Sequence, residues 1–169
     1  TTAITIKVYN RYDYLNEILE GLSKCNSIEN YQILLSLDYS NIQKKIEELV
    51  NFYNNKLNIL LYKADRTLGC AGNMKRCFEL CFDKHYYNYM FHIEDDTVPA
   101  IDYIEFMENI SNKYKNDNNI FAICPYRRKT GLLIDKNQAS QYIDGIILDD
   151  WFECAGGFGM SKQIYEYIK

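Results

Sequence analysis

Glu94, Asp95 and Asp96 close the apolar run of the stretch YMFHIEDDTVPAIDYIEF, residues 89–106. Three adjacent carboxylates repel one another and add nothing to packing, so they are either a solvated loop or a place for a cation. Hard divalent ions such as Mg2+ and Mn2+ take oxygen ligands and complete their shells with waters and substrate phosphates. The competing explanation is local, because acids are favoured near a helix N-terminus and the sequence beyond Pro99 turns helical. Polar residues at equivalent places elsewhere favour chemistry. Asn10 and Arg11 follow one apolar run, Asp38 a second, and Asp65 and Arg66 a third.

Those apolar runs read as strands. AITIKVY (3–9), YQILLSL (31–37), KLNILLYK (56–63), YNYMFHI (87–93) and NIFAICPY (119–126) are short and rich in aliphatic or aromatic residues. Between them lie helical patterns. NRYDYLNEILEGLSK carries Tyr14, Leu15, Ile18, Leu19 and Leu22 at helical spacing, and SNIQKKIEELVNFYN has Ser40 placed as a cap. CAGNMKRCFELCFDK (70–84) and IDYIEFMENISNKYK (101–115) complete the alternation. Strand alternating with helix over short loops predicts an α/β domain with a mainly parallel central sheet flanked by helices. In such sheets ligands bind beyond the carboxyl ends of the strands, where the polar residues named above converge. Past residue 126 the regularity weakens. The segment KTGLLIDKNQASQYIDGIILDDW is hairpin-like, and CAGGFGMSKQIYEYI reads as a Gly-rich turn into a helix.

Composition narrows the class. The chain has 169 residues, 47% hydrophobic and 25% charged, with net charge −4, which fits one domain and offers no basic surface for nucleic acid. No apolar run approaches the roughly 20 residues that cross a bilayer. The chain lacks an initiator Met and stops within a helix-like pattern, so it is expected to be an excerpt of a longer protein whose flanks can carry targeting or an anchor. Its six cysteines form no CxxC pair. Cys77 and Cys81, four apart on a helix, have no partner at ligand spacing. Reduced thiols, and with them a cytoplasmic location, are the expectation.

The ordered set IKVYNRYDYLNEILEGL, LLSLDYS, KADRTLGCAGNMKRCFELCF and FHIEDDTVPAIDYIEFM resembles the nucleotide-sugar domain of GT-A glycosyltransferases, a Rossmann-like fold. ADRTLGCAGN is similar to the N-x-G-x-x-x-N stretch of glycosyltransferase family 2. The EDD triplet and DDWFECAGGFGMSK are similar to N-acetylglucosaminyltransferase I and its protein-O-mannose relatives. The resemblance implies residues 1–126 as the nucleotide-sugar-binding part and 127–169 as the start of the acceptor-side part of one domain, truncated at its C-terminus. It implies a UDP-sugar donor, Mn2+ or Mg2+, and inverting transfer of a hexosyl or N-acetylhexosaminyl group to a hydroxyl of a glycan, protein or lipid.

Residue by residue, the resemblance implies that Asp38 bonds the imide N–H of uracil and that Arg11, beside Asn10, lies at the base or diphosphate. Glu94 and Asp95 face the ribose and donor sugar, while Asp96, with Asp95, holds the metal. Arg66 and Lys75 add positive charge near the phosphates, and Gly69, Gly72 and Asn73 shape the loop. Inverting enzymes need a carboxylate base. Asp149 and Asp150 are the nearest within the chain, and the base otherwise lies beyond Lys169. Trp151 reads as core or as an acceptor-stacking ring, and Tyr126, Arg127 and Arg128 as a loop touching phosphate or solvent. His85 and His92 read as structural or surface residues, with His92 directed away from the acids. Two alternatives remain at this point: a non-catalytic nucleotide-sugar-binding module and an aspartate-dependent phosphohydrolase. The latter is disfavoured because Glu94 stands where its Asp nucleophile belongs.

Overall fold

A computed structural model describes residues 1–117, 119–125 and 156–169, with the backbone of residues 142–143 and 146–147. The alternation read from the sequence is present. Strands β1 (Thr2–Val8), β2 (Gln32–Leu37), β3 (Asn58–Lys63) and β4 (Tyr89–Ile93) are separated by helices α1 (Tyr12–Leu22), α2 (Gln43–Tyr53) and α3 (Gly69–Phe78). A π-helical turn, Glu79–Lys84, extends α3, and α4 (Tyr103–Tyr114) follows β4. Short strands β5 (Tyr142–Ile143) and β6 (Ile146–Ile147) pair antiparallel, in the region predicted to be hairpin-like. Strand β7 (Phe158–Ser161) then leads into α5 (Lys162–Ile168).

The central sheet has the order β3-β2-β1-β4-β7. Its first four strands are parallel, and β7 joins the outer edge of β4 in the opposite direction. Of the segment 119–126, predicted as the fifth strand, the described residues 119–125 form an isolated antiparallel bridge from Ile123 to Gly159 rather than a strand. The fifth strand comes from the segment that reads as a Gly-rich turn. Glycine lowers strand propensity, but here close packing demands it. A Cβ on Gly159 would stand 2.9 Å from Met107 Cε and 3.1 Å from Tyr89 Cε1. Ser40 does not cap the second helix; its hydroxyl donates to the Tyr9 carbonyl at 3.1 Å, and α2 begins at Gln43 without a side-chain cap.

Strand parity divides the interior into two layers, because successive side chains point to opposite faces. On one face Ile4, Ile6, Val8, Ile33, Leu35, Leu37, Phe91 and Ile93 pack beneath Leu15, Ile18, Ile46, Leu49 and Ile104 of α1, α2 and α4. On the other, Ala3, Leu34, Met90, Phe158 and Met160 pack against Leu80, Cys81, Phe82 and Tyr165. Each fully buried aliphatic or aromatic side chain contributes about 1.5–3 kcal/mol of transfer free energy. Thr5, Lys7, Ser36 and His92 share the parity of the second face, and register sets Thr5 beside His92 and Lys7 beside Ser36. A polar column therefore crosses that face towards the carboxyl ends of the strands. The chain runs outward from β1 to β3 and returns to β4 on the other side of β1, so the topological switch point falls between β1 and β4.

Candidate active site

At the switch point the residue after β1 meets the residues after β4. Arg11, which immediately precedes α1, puts Nη1 3.2 Å from Asp95 Oδ1 and 3.1 Å from Asp96 Oδ2. One nitrogen thus donates to two carboxylates. Asp96 is 54% exposed, while Asp95 is more enclosed at 19%. Burial raises the Asp95 carboxyl above its ordinary value; Arg11 opposes that rise, and the neighbouring Asp96 reinforces it.

Glu94 is held differently. Its Oε2 accepts an ion pair from Lys7 Nζ at 2.8 Å, and its Oε1 lies 3.5 Å from His92 Nε2. Burial disfavours the Glu94 anion, but His92 and Lys7 outweigh it and bring the carboxyl down to about 2. Lys7 also donates to Cys70 Sγ at 3.1 Å, and although burial alone would depress its ammonium, Glu94 and Cys70 raise it. His92 is completely buried, which lowers its basicity and keeps the ring neutral. Its Nδ1 lies 2.9 Å from Thr5 Oγ1. Because a carboxylate only accepts, the consistent tautomer carries its proton on Nε2 and accepts the Thr5 hydroxyl at Nδ1. His92 is therefore structural but directed towards the acids, contrary to the reading from sequence. Lys7 went unnoticed because AITIKV reads as one apolar run; a lysine inside such a run was the available signal.

Asp38, 2% exposed, closes the next strand. Its Oδ1 accepts the amides of Tyr39 and Leu68, both at 2.7 Å, and its Oδ2 accepts the Gly69 amide at 2.9 Å. The carboxylate thereby fastens the loop after β3 and the first residue of α3 to the end of β2. Gly69 takes φ +72°, which suits glycine. Asn73, 3% exposed, accepts from Ser36 Oγ at 2.6 Å and donates to the Val8 and Ser36 carbonyls, both at 3.1 Å. Every polar atom of its amide is committed to β1 and β2, so Asn73 is a buried link beneath the ends of those strands rather than an exposed polar group. Asn10 and Arg66 are exposed at the carboxyl ends of their strands. Lys75 projects from α3 with its side chain 78% exposed and approaches Glu79 at 3.7 Å, so the structure does not bring it to the acids. Asp149, Asp150, Trp151, Tyr126, Arg127 and Arg128 lie outside the described residues.

The acids match a hard cation in kind, as oxygen ligands. Asp95 and Asp96 place two carboxylates side by side against one guanidinium, and the more enclosed of them gains from further positive charge. Counting Lys7, Arg11 and the three acids, the rim carries one net negative charge at neutral pH. Among the described residues no group of three His, Cys, Asp or Glu gathers as a ready-made metal cage. Partial ligation by protein, completed by water and phosphate, is the usual mode for such ions.

A profile of the family described as "Glycosyl transferase family 2" matches residues 3–166. The chain belongs to glycosyl transferase family 2. Its fold agrees with solved structures at low identity. S. aureus TarS (residues 1–349) in complex with UDP-GlcNAc matches with a TM-score of 0.60 at 16% identity, over 73% of this chain and 33% of that one. The mannosyltransferase PcManGT from Pyrobaculum calidifontis, in complex with GDP-Man and Mn2+, matches with a TM-score of 0.65 at 10% identity, over 99% of this chain and 46% of that one. The family 2 chain thus spans between a third and a half of these neighbours. A comparison with curated proteins found no match. Family and topology together identify a GT-A fold with a mostly parallel five-stranded sheet. Among the described residues, no helix is long and apolar enough to cross a membrane.

Proposed function

We propose that this family 2 domain binds a UDP-sugar together with Mn2+ or Mg2+ at the β1/β4 switch point and transfers the sugar, with inversion, to a hydroxyl acceptor. The observation that carries the reading is the meeting of Arg11 with Asp95 and Asp96 where strand order reverses. Asp96 and Asp95 would hold the cation. When bound, such an ion supplies Lewis-acid stabilisation to a departing diphosphate. Arg11 offers a forked donor suited to phosphate oxygens. Lys7 and His92 hold Glu94 in one anionic orientation beside the cation ligands. Asp38 shapes the base end of the cleft by fixing the loop through Gly69.

A uridine donor is supported by the resemblance and by TarS, whereas PcManGT carries GDP-Man, so the base is a point to measure. The acceptor is a hydroxyl of a glycan, protein or lipid, and its base is a carboxylate, with Asp149 and Asp150 the candidates within the chain. The phosphohydrolase alternative falls with the family assignment. Calorimetric titration with UDP, GDP and ADP, each with Mn2+ and with chelator, tests the reading. Mn2+-dependent binding that prefers UDP and vanishes in Asp96→Ala is expected. Binding of none of the three under either condition would return the acids to a solvated loop.

A further inference from the structure

We propose that Arg11 is a built-in counter-ion of the Asp95–Asp96 pair, which it occupies in the unliganded domain and yields when a divalent cation and a diphosphate arrive together. The inference rests on reading this rim as the donor site. Arg11 is not held there by packing. Its side chain is 47% exposed, and its other contact is the Tyr14 ring, 5.8 Å from Cζ. Nor does the local backbone favour it, because Arg11 precedes the first turn of α1 without a side-chain capping bond, at the helix end where the macrodipole opposes a cation. What keeps the guanidinium in place is the pair of carboxylates. Lys7 is the contrast: 14% exposed and bonded to both Glu94 and Cys70, it has no freedom to leave.

Charge then sets an order. The guanidinium carries one positive charge against two carboxylates, whereas a divalent ion matches both. Exchange strands Arg11 beside an incoming like charge unless another anion receives it, and the donor diphosphate is such an anion. Cation and nucleotide are therefore predicted to strengthen each other's binding by the same factor, since coupling between two ligands is reciprocal. The domain would bind free metal poorly and metal with nucleotide well.

The test is Mn2+ binding, followed by the paramagnetic resonance signal of free Mn2+, with and without UDP. Wild type, Arg11→Gln, Arg11→Lys and Asp96→Asn are compared after unfolding midpoints confirm that each is folded. Removing two ion pairs of a half-exposed guanidinium should tighten binding of Mn2+ alone in Arg11→Gln by about three- to tenfold, while Arg11→Lys stays near wild type. The strengthening of Mn2+ binding by UDP should shrink in Arg11→Gln, and Asp96→Asn should lose Mn2+ under both conditions. Unchanged or weaker binding of Mn2+ alone by Arg11→Gln, with UDP-dependent Mn2+ binding intact in wild type, would overturn the counter-ion role and leave the donor site standing. Absence of Mn2+ binding in wild type even with UDP would overturn both.

Discussion

Asp38 shows how one side chain serves a site through the backbone. Its two oxygens accept three amide N–H groups from two separate segments, so the loop through Leu68 and Gly69 is tied to the end of β2. Hydrogen bonds to a charged group contribute about 1.5–3 kcal/mol each when buried, though they do not add fully. Asp38→Ala should lower unfolding stability by about 3 kcal/mol, read by urea denaturation, because it orphans amides as well as removing an acceptor. The same variant should weaken UDP more than inorganic pyrophosphate if the loop shapes the base end of the cleft. Equal weakening would leave the carboxylate a fastening alone. Asp96 is the opposite kind of residue: it is half exposed and paired with Arg11, so its loss should cost the fold less than about 1 kcal/mol while removing metal-dependent nucleotide binding.

At the scale of elements, Asn73 ties α3 to the sheet and His92 ties β4 to its neighbour β1. The Asn73 amide joins α3 to the carboxyl ends of both β1 and β2. Asn73→Asp turns a donor into an anion facing two carbonyls. It should destabilise the domain by about 3 kcal/mol or more, a loss visible in thermal melts. His92 makes a pH prediction. Burial depresses its basicity in the fold, so the unfolded chain binds the extra proton first as pH falls below about 6.5. The stability it supports is complete above that value and is lost progressively towards lower pH. The wild-type melting midpoint should therefore fall between pH 7 and 5 more steeply than that of His92→Gln; equal slopes would remove the histidine from the account. These stitches also mark where the sequence was and was not legible. Four strands and five helices were readable because aliphatic runs alternate with 3.6-residue spacing. Strand β7 was not, because Gly159 answers to Met107 and Tyr89, and Gly157 just before it to the β4 backbone, contacts remote in sequence. The acids announced themselves by having no packing use. Lys7 hid inside a run whose average was apolar, and the direction of His92 depended on strand register that the sequence does not show.

Across the whole molecule, β7 is the piece that lets the end of the chain bear on a site built from its first hundred residues. It pairs with β4 from Tyr89 to His92, the strand that delivers Glu94, Asp95 and Asp96. Its approach depends on Gly157, whose φ is +107°. A Cβ there would lie 2.0 Å from the His92 carbonyl oxygen and 3.1 Å from Ile93 Cα, so backbone must move. Strain of this kind costs about 1–3 kcal/mol before any displacement is counted. For a chain of this size, each kcal/mol is worth about 2–4 °C in melting temperature. Gly157→Ala should thus melt about 5–10 °C below wild type, taking the upper part of that range of strain. The direction of relief matters more. If β4 yields, the acids shift with it, and Mn2+-dependent UDP binding weakens along with stability. If β7 yields, the melting temperature falls while nucleotide affinity holds. Measuring both in the same variant locates the rigid element, and unchanged melting would show that the turn before β7 can be rebuilt without glycine.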